Sequence, residues 1–228
     1  MSRFYRERFP IPALTLGDAL AGRDICGKAP TGSGKTLAFA LPVAARTSRA
    51  TPGRPTALIL TPTRELAAQV RRTLLPIAAV RGLRVATFYG GTNIKRDLQD
   101  LRKGVDVAVA TPGRLADLVR RGDIRLDRVE LAVLDEADRM ADMGVLPEVT
   151  RLLDLVPADR QTLLFSATLD GDVDVLIRRF QVDPLKFELD APAEAAGDVH
   201  HLFWSTTRET RRDVTTDALK RAGVDAAG

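Results

Sequence analysis

The chain has 228 residues, of which 45% are hydrophobic and 28% are charged, and its formal net charge is +4. This composition is that of an ordinary globular protein with one substantial core, and it argues against a low-complexity chain. No run of about 18 apolar residues occurs, so we predict neither a membrane span nor a secretion signal.

The net positive charge permits a polyanionic partner but does not require one. Cys26 is the single cysteine of the sequence, so the chain forms no internal disulfide. We therefore expect a reducing compartment and predict a cytoplasmic protein.

Seven short apolar segments alternate with amphipathic segments that are rich in Ala, Leu and Arg. This alternation predicts crossover connections and a parallel sheet. We predict an α/β fold with a doubly wound, mostly parallel sheet, whose ligand crevice lies beyond the carboxyl ends of the strands. The predicted strands are RDICGK (23–28), TALILT (56–61), LRVATFY (83–89), VDVAVAT (105–111), ELAVLD (130–135), QTLLFS (161–166) and LKFEL (185–189).

A glycine-rich turn, GKAPTGSGKT (27–36), joins the first predicted strand to a helix. Backbone N–H groups and the positive end of the helix dipole favour an anion at such a turn. Lys35 adds a charge for the β- and γ-phosphates of a nucleotide, and Thr36 offers a hydroxyl to Mg²⁺. The alternative is a glycine turn that only caps a helix. The predicted nucleotide-binding residues are Ala29, Thr31, Gly32, Ser33, Gly34, Lys35 and Thr36.

Two adjacent acids, Asp135 and Glu136, end the apolar run LAVLDEAD. A nucleotide-bound metal needs a carboxylate on a neighbouring strand, and we predict that Asp135 supplies it. Glu136 is then suitably placed to orient or deprotonate an attacking water. The alternative is a solvated acidic loop.

We divide the chain into three parts. Residues 1–189 form the main domain, and the small, acidic, proline-containing segment 190–198 reads as a linker. Residues 199–228 are too few for a core of their own, so we predict a poorly ordered remnant of a second domain. Arg208, Arg211 and Arg212 in this remnant form a solvated basic segment.

From about Phe9 to the linker, the sequence resembles the DEAD-box family of ATP-dependent RNA helicases. DEAD stands verbatim at 135–138, and other family motifs occur in the expected order. GTPases and kinases share the phosphate-binding turn but not this combination. The further motifs are APTGSGKT (29–36), PTRELA (62–67), GG (90–91), TPGR (111–114) and SAT (166–168).

The resemblance implies the first RecA-like domain of a helicase, a P-loop NTPase that uses ATP and Mg²⁺ and contacts RNA. Catalysis would fall to Lys35, Asp135 and Glu136, with Thr36 and Asp135 holding the metal. The implied contacts to the RNA backbone, made without reading bases, are Pro62, Thr63, Arg64, Gly90, Gly91, Thr111, Pro112, Gly113 and Arg114.

Ser166 and Thr168 would hydrogen-bond toward Asp138 and couple the ATP side to the RNA side. In the simpler alternatives, SAT only finishes a strand and caps a helix, TPGR is a helix-starting turn, and Arg64 is a solvated helix residue.

Two departures from the family pattern stand out. Pro12 occupies the place where the family has an adenine-reading glutamine, and proline offers no side-chain hydrogen bond and no backbone N–H. After the linker, nothing resembles the motifs of the family's second domain, which contributes arginines to the γ-phosphate.

We therefore predict an ATP-binding half of an RNA helicase that binds Mg-ATP and RNA backbone. It should hydrolyse ATP slowly or not at all, and unwind nothing, unless a second domain is supplied, for example by a protein partner. The alternatives are a non-catalytic regulatory module that binds RNA or a helicase, and a truncated gene product.

Overall fold

The computed structural model describes residues 10–189, 205–207 and 209–221 of the chain. The chain divides into two compact units, with the boundary after residue 191. Of the second unit, the structure describes residues 205–207 and the segment that contains the helix α9 (Arg211–Arg221). Arg211 and Arg212 are exposed on this helix, whereas Arg208 and the predicted linker 190–198 lie outside the described residues.

In the first unit, helices and strands alternate as the sequence predicts. The helices are α1 (Pro10–Leu20), α2 (Lys35–Arg46), α3 (Arg64–Val80), α4 (Ile94–Lys103), α5 (Pro112–Arg120), α6 (Ala137–Asp142), α7 (Leu146–Leu153) and α8 (Gly171–Phe180). The strands are β1 (Ile25–Lys28), β2 (Ala57–Leu60), β3 (Val85–Phe88), β4 (Val107–Ala110), β5 (Leu131–Asp135), β6 (Gln161–Ser166) and β7 (Leu185–Glu188). Each predicted strand segment contains one of them.

The seven strands form one sheet in the order β3-β4-β2-β5-β6-β1-β7, and all neighbouring pairs are parallel. Strands β2, β4 and β5 are buried along their whole length, because helices cover both faces of the sheet. The predicted α/β class and parallel sheet are confirmed.

Two apolar layers sandwich the sheet. One contains residues of α1, α2 and α3, for example Ile11, Phe39 and Leu74. The other contains residues of α4 to α8, for example Leu101 and Leu176. Successive crossovers therefore place α3 and α4 on opposite faces, while the loops that follow the strands share one edge of the sheet.

Buried polar side chains join the strands at the opposite, amino-terminal edge. The two oxygens of Asp24 accept hydrogen bonds from the backbone N–H groups of Thr162 and Val182, each at 2.7 Å. Nε2 of Gln181 donates to the carbonyls of Ile25 and Thr162. Strands β1 and β6 are thus held in register at one end, which fixes the positions of their loops at the other.

Candidate nucleotide and nucleic-acid site

The glycine-rich turn lies between the carboxyl end of β1 and the first residue of α2, as the sequence predicts. Gly32 and Gly34 have φ of +87° and +91°, a region that side chains with a β-carbon rarely adopt. Gly34 is the N-cap of α2, with no side chain to cap the helix. The N–H groups at this helix start are therefore free to bind an anion.

Lys35 is buried at the start of α2, and its ammonium folds back over the turn. Nζ donates a hydrogen bond to the carbonyl of Ala29 at 2.9 Å. Ala29 in turn donates its N–H to the carbonyl of Ser166 at 3.0 Å, which anchors the turn to the end of β6. Lys35 thus places a positive charge inside the curve of the turn.

Asp135 ends β5, two strands away from β1 across β6. Its carboxylate is buried, and Oδ1 has no hydrogen-bond partner among the described residues. Burial raises the pKa of Asp135 to about 7; the charge of Lys35 opposes this shift and that of Glu136 adds to it. A buried oxygen without a partner is costly, and a cation bound there would relieve the cost.

Glu136 adopts a left-handed backbone conformation, with φ of +55° and ψ of +53°. Such a conformation is uncommon for a residue with a side chain, and it turns the chain sharply from β5 into α6. The carboxylate of Glu136 is paired with Arg139 at 3.3 Å and remains partly exposed. Strain at this position is consistent with a functional constraint on where the carboxylate lies.

These groups share one cleft of about 320 Å³. Its walls are the glycine-rich turn with Lys35 and Thr36, the acid pair Asp135 and Glu136, and one face of α3. Sequence reasoning missed the α3 residues Gln69 and Thr73, although their spacing of four residues on a predicted helix already placed them on one face. The cleft brings a cationic turn and an acidic strand end together.

The residues present fit a magnesium–triphosphate complex. Within the described part of the chain, no group of three or more acidic, His or Cys side chains could hold a metal by itself. Mg²⁺ is commonly held by one carboxylate, a hydroxyl and the phosphates of a substrate. Asp135 and Thr36, both lining the cleft, supply that minimal set.

The predicted coupling residues are only partly brought together. The backbone N–H of Asp138 donates to Oγ of Ser166 at 3.0 Å, and Ser166 is fully buried. The carbonyl of Ser166 also accepts the hydrogen bond from Ala29. Ser166 therefore contacts both the glycine-rich turn and the DEAD motif. Thr168 is exposed, and within the described residues its side chain makes no hydrogen bond.

The residues expected to contact RNA lie in the loops after β2, β4 and β3, which are adjacent strands at one end of the sheet. Thr63 caps α3 by accepting from the N–H of Leu66, and Arg64 follows it at the exposed helix start. A β-carbon on Gly91 would lie 4.0 Å from Nη1 of Arg64, so the motifs of two loops meet. Among the residues that the structure describes, Arg64 pairs only with its exposed neighbour Glu65.

Arg114 does not stand free at this surface. Its side chain is only 13% exposed; Nε donates to Oδ2 of the buried Asp97 at 2.8 Å, and Nη2 donates to the carbonyl of Thr92 at 3.2 Å. The guanidinium thereby ties α5 to α4 and to the loop after β3. Burial raises the pKa of Asp97, and the bond and charge of Arg114 oppose that shift.

Comparisons with known proteins identify the class. The sequence description of the DEAD/DEAH box helicase family matches residues 9–176, more than half of the chain. The chain therefore belongs to the DEAD/DEAH box helicase family, as its motifs predict. Among the described residues, no helix is long and apolar enough to cross a membrane.

The chain is similar to helicases from several organisms. It is 43% identical over 198 residues to the ATP-dependent RNA helicase RhlB of Pseudomonas aeruginosa, with 83% of this chain and 50% of that protein covered. It is 38% identical over 215 residues to the DEAD-box ATP-dependent RNA helicase CshA of Geobacillus kaustophilus, with 94% and 46% covered. The chain spans about half the length of these relatives.

Solved structures agree on the fold. The yeast DEAD-box splicing factor Prp28 matches with a TM-score of 0.73 and 34% identity, covering 78% of this chain and 44% of that one. A hypothetical ATP-dependent RNA helicase from Sulfolobus tokodaii matches with a TM-score of 0.72 and 33% identity, covering 80% and 53%. The fold is that of a RecA-like domain of a DEAD-box helicase.

Proposed function

We propose that this chain is the ATP-binding half of a DEAD-box RNA helicase, and that it binds Mg-ATP in the cleft and RNA backbone on the neighbouring loops. One observation carries the proposal: the buried Asp135, with an oxygen that lacks a hydrogen-bond partner in the described part of the chain, shares a cleft with Lys35 and the glycine-rich turn. Membership of the family and the similarity to ATP-dependent RNA helicases support both ligands.

Each group in the cleft has a defined task in this proposal. The turn's N–H groups and Lys35 bind the phosphate chain, and Lys35 would exchange its bond to the Ala29 carbonyl for a phosphate oxygen. Thr36 and Asp135 would hold Mg²⁺, which neutralises charge on the phosphates when bound. Glu136, partly exposed at the end of β5, would orient the attacking water.

Hydrolysis by this half should be slow. Arginines that stabilise the charge developing on the γ-phosphate contribute on the order of 10³ to 10⁵ in rate in enzymes that use them. The arginine side chains that the structure describes do not line the cleft. A second domain, on the same polypeptide or on a partner, would supply them.

Titration of the purified chain with ATP, with and without single-stranded RNA, tests the proposal. We expect weak, saturable ATP binding that is lost in Lys35→Ala and kept in the control Lys186→Ala, since Lys186 is exposed on the edge strand β7. RNA binding should weaken as salt rises, with a log–log slope of roughly −0.7 for each phosphate contact. ATP binding that is unchanged in Lys35→Ala would contradict the nucleotide site.

A further inference from the structure

A second groove lies along the open edge of the sheet. Strand β3 is one of the two edge strands of the sheet, and α3 and α4, which cover opposite faces, flank its outer side. The groove between them has a volume of about 350 Å³ and is lined by residues of both helices and of β3. We call it the edge groove. It is separate from the nucleotide cleft, since the two share no lining residue.

Cations line both walls of the edge groove. Arg71 lies on α3, Arg96 and Lys103 lie on α4, and Arg84 precedes β3. Arg96 and Lys103 are seven residues apart, so they lie on the same side of α4 about 10 Å apart along its axis. Within the described residues, the side chains of Arg71, Arg96 and Lys103 have no hydrogen bond or ion pair, whereas Arg84 donates to the carbonyl of Lys103.

The acidic groups of the groove do not cancel these charges. Asp97 is buried and already paired with Arg114 at 2.8 Å. Asp100 is the other carboxylate of the lining. The groove therefore keeps an excess of positive charge, as a polyanion would require.

The groove continues the path of the proposed RNA site. Strands β2, β4 and β3 are neighbours in that order, so the loops with PTRELA, TPGR and GG follow one another toward the edge of the sheet. Tyr89 and Thr92, which flank Gly90 and Gly91, are among the residues that line the groove. A strand laid across the three loops would therefore leave the sheet beside the groove.

We propose that single-stranded RNA leaving the three loops continues into the edge groove, where Arg71, Arg96 and Lys103 contact its phosphates. This inference rests on the proposed function, because it extends the same RNA path. The contacts would be independent of sequence, since they involve backbone charge and not base edges. They would lengthen the RNA-binding site beyond the three loops by several nucleotides.

An acidic peptide is the competing occupant. The outer main-chain groups of an edge strand can pair with an extended peptide, and the cations would suit acidic side chains. Nucleic acid is favoured because Tyr89 and Thr92, on either side of the GG motif, line the groove. In addition, Arg71 in the α3 wall lies seven residues after Arg64, on the same face of that helix. Cationic side chains therefore occur both at the loops predicted to bind RNA and in the groove.

The test measures the affinity gained by lengthening the RNA. Oligonucleotides of roughly 6 nucleotides, and the same sequences extended to roughly 12 at the 5′ or the 3′ end, span the range of site sizes of single-strand-binding folds. We expect one of the two extensions to increase affinity for the wild-type chain. The variant with Arg71→Gln, Arg96→Gln and Lys103→Gln should lose that gain and bind the short RNA as before.

Salt dependence gives a second readout that loss of folding would not mimic. Three lost phosphate contacts should make the log–log salt slope for the long RNA shallower by about 2. The matched control is Arg128→Gln, Arg151→Gln and Lys186→Gln. These three cations are exposed and, like the three groove cations, their side chains lack a hydrogen bond or ion pair among the described residues. Circular dichroism and the thermal midpoint confirm that both triple variants fold.

The outcomes separate this inference from the proposed function. If the short RNA binds but neither extension adds affinity, or the triple variant keeps the gain, the groove does not carry RNA. If only the long RNA binds and the triple variant loses it, the groove is supported and the three-loop site fails. If no RNA binds, both the RNA site on the three loops and the RNA path through the edge groove are contradicted. If a polyglutamate peptide binds in a way that the triple variant abolishes, while the extensions add nothing, the groove binds protein and the RNA inference is overturned.

Discussion

Asp135 is a buried carboxylate whose environment disfavours its charge in the ligand-free chain. Burial raises its pKa from 3.8 to about 7. Between these pH values the folded chain holds a proton that the unfolded chain has released. Stability contributed by this group is therefore present at low pH and is lost as pH rises toward 7.

Asp135→Asn should remove this dependence. Without nucleotide or Mg²⁺, we expect the variant to gain free energy of unfolding relative to the wild type between about pH 4 and pH 7, by an amount on the order of a few kcal/mol. Urea denaturation at several pH values measures the difference. A difference that stays constant over this range would show that burial does not destabilise the Asp135 carboxylate.

Pro12 lies in the first turn of α1, where proline is tolerated, and it is buried. Because it cannot hydrogen-bond to a base edge as the family's glutamine does, we predict that ATP and GTP bind with affinities within about tenfold of each other. Polar recognition of a substrate group gives far larger discrimination, on the order of 10⁴. Competition titrations with the two nucleotides measure the ratio, and a strong preference for ATP would mean that other groups read adenine.

At the scale of elements, the pair of Arg114 and Asp97 joins α5, α4 and the loop after β3. Removing the arginine alone leaves a buried carboxylate without its partner, which typically costs about 3 to 5 kcal/mol. We therefore expect Arg114→Ala to lose free energy of unfolding on that scale, and Asp97→Asn combined with Arg114→Ala to recover part of it. Lys95→Ala, at an exposed position on α4, is the control.

The same variants separate two roles for Arg114. If it positions the loops, Arg114→Ala should weaken RNA binding with little change in the salt slope. If it contacts a phosphate directly, the slope should become shallower by roughly 0.7. Either result is read from binding at several salt concentrations with chains shown to be folded.

The elements differ in how far the sequence predicts them. All seven strands were predictable, because each is a short apolar run between helical segments, and the motifs placed the nucleotide loop at a strand end. The pair of Asp97 with Arg114 was not predictable. Asp97 lies in a strongly polar helix where local pattern indicates a solvated face, and its partner is 17 residues away in another helix. Contacts of this kind depend on the assembled sheet.

The nucleotide cleft was likewise predictable from the sequence only in part. Spacing and composition predicted that Lys35, Thr36, Asp135 and Glu136 would share a cleft, since all follow parallel strands whose carboxyl ends meet at one edge. The wall formed by α3 was missed because the sequence of a helix or of a loop does not by itself predict which helix face packs against which loop. The left-handed backbone of Glu136 was also not predictable from the sequence, because the residues DEAD are equally compatible with the first turn of a helix.

For the whole molecule, the question is whether its cellular role depends on ATP hydrolysis or only on binding. If the chain acts as a helicase half, Glu136→Gln should remove whatever RNA-stimulated ATP hydrolysis a completing second domain supports. If it is a binding module, Glu136→Gln should leave its cellular role intact while Arg64→Ala abolishes it, because Arg64 is an exposed cation among the loops that we propose bind RNA. Complementation with the two variants decides between them.

Unwinding by the chain alone is not expected. In a strand-displacement assay, the purified 228-residue chain should release no RNA strand in the presence of ATP, since no arginine of the described residues lines the cleft where the γ-phosphate would lie. ATP-dependent displacement by the purified chain would contradict the need for a second domain.

The most direct measurement is the effect of Mg²⁺ on ATP affinity in the wild type and in Asp135→Asn. If Asp135 and Lys35 share one magnesium-bound triphosphate, Mg²⁺ should increase ATP affinity in the wild-type chain and have little effect in the variant, which should still bind ATP weakly through the glycine-rich turn. An equal response to Mg²⁺ in both chains would show that Asp135 does not hold the metal.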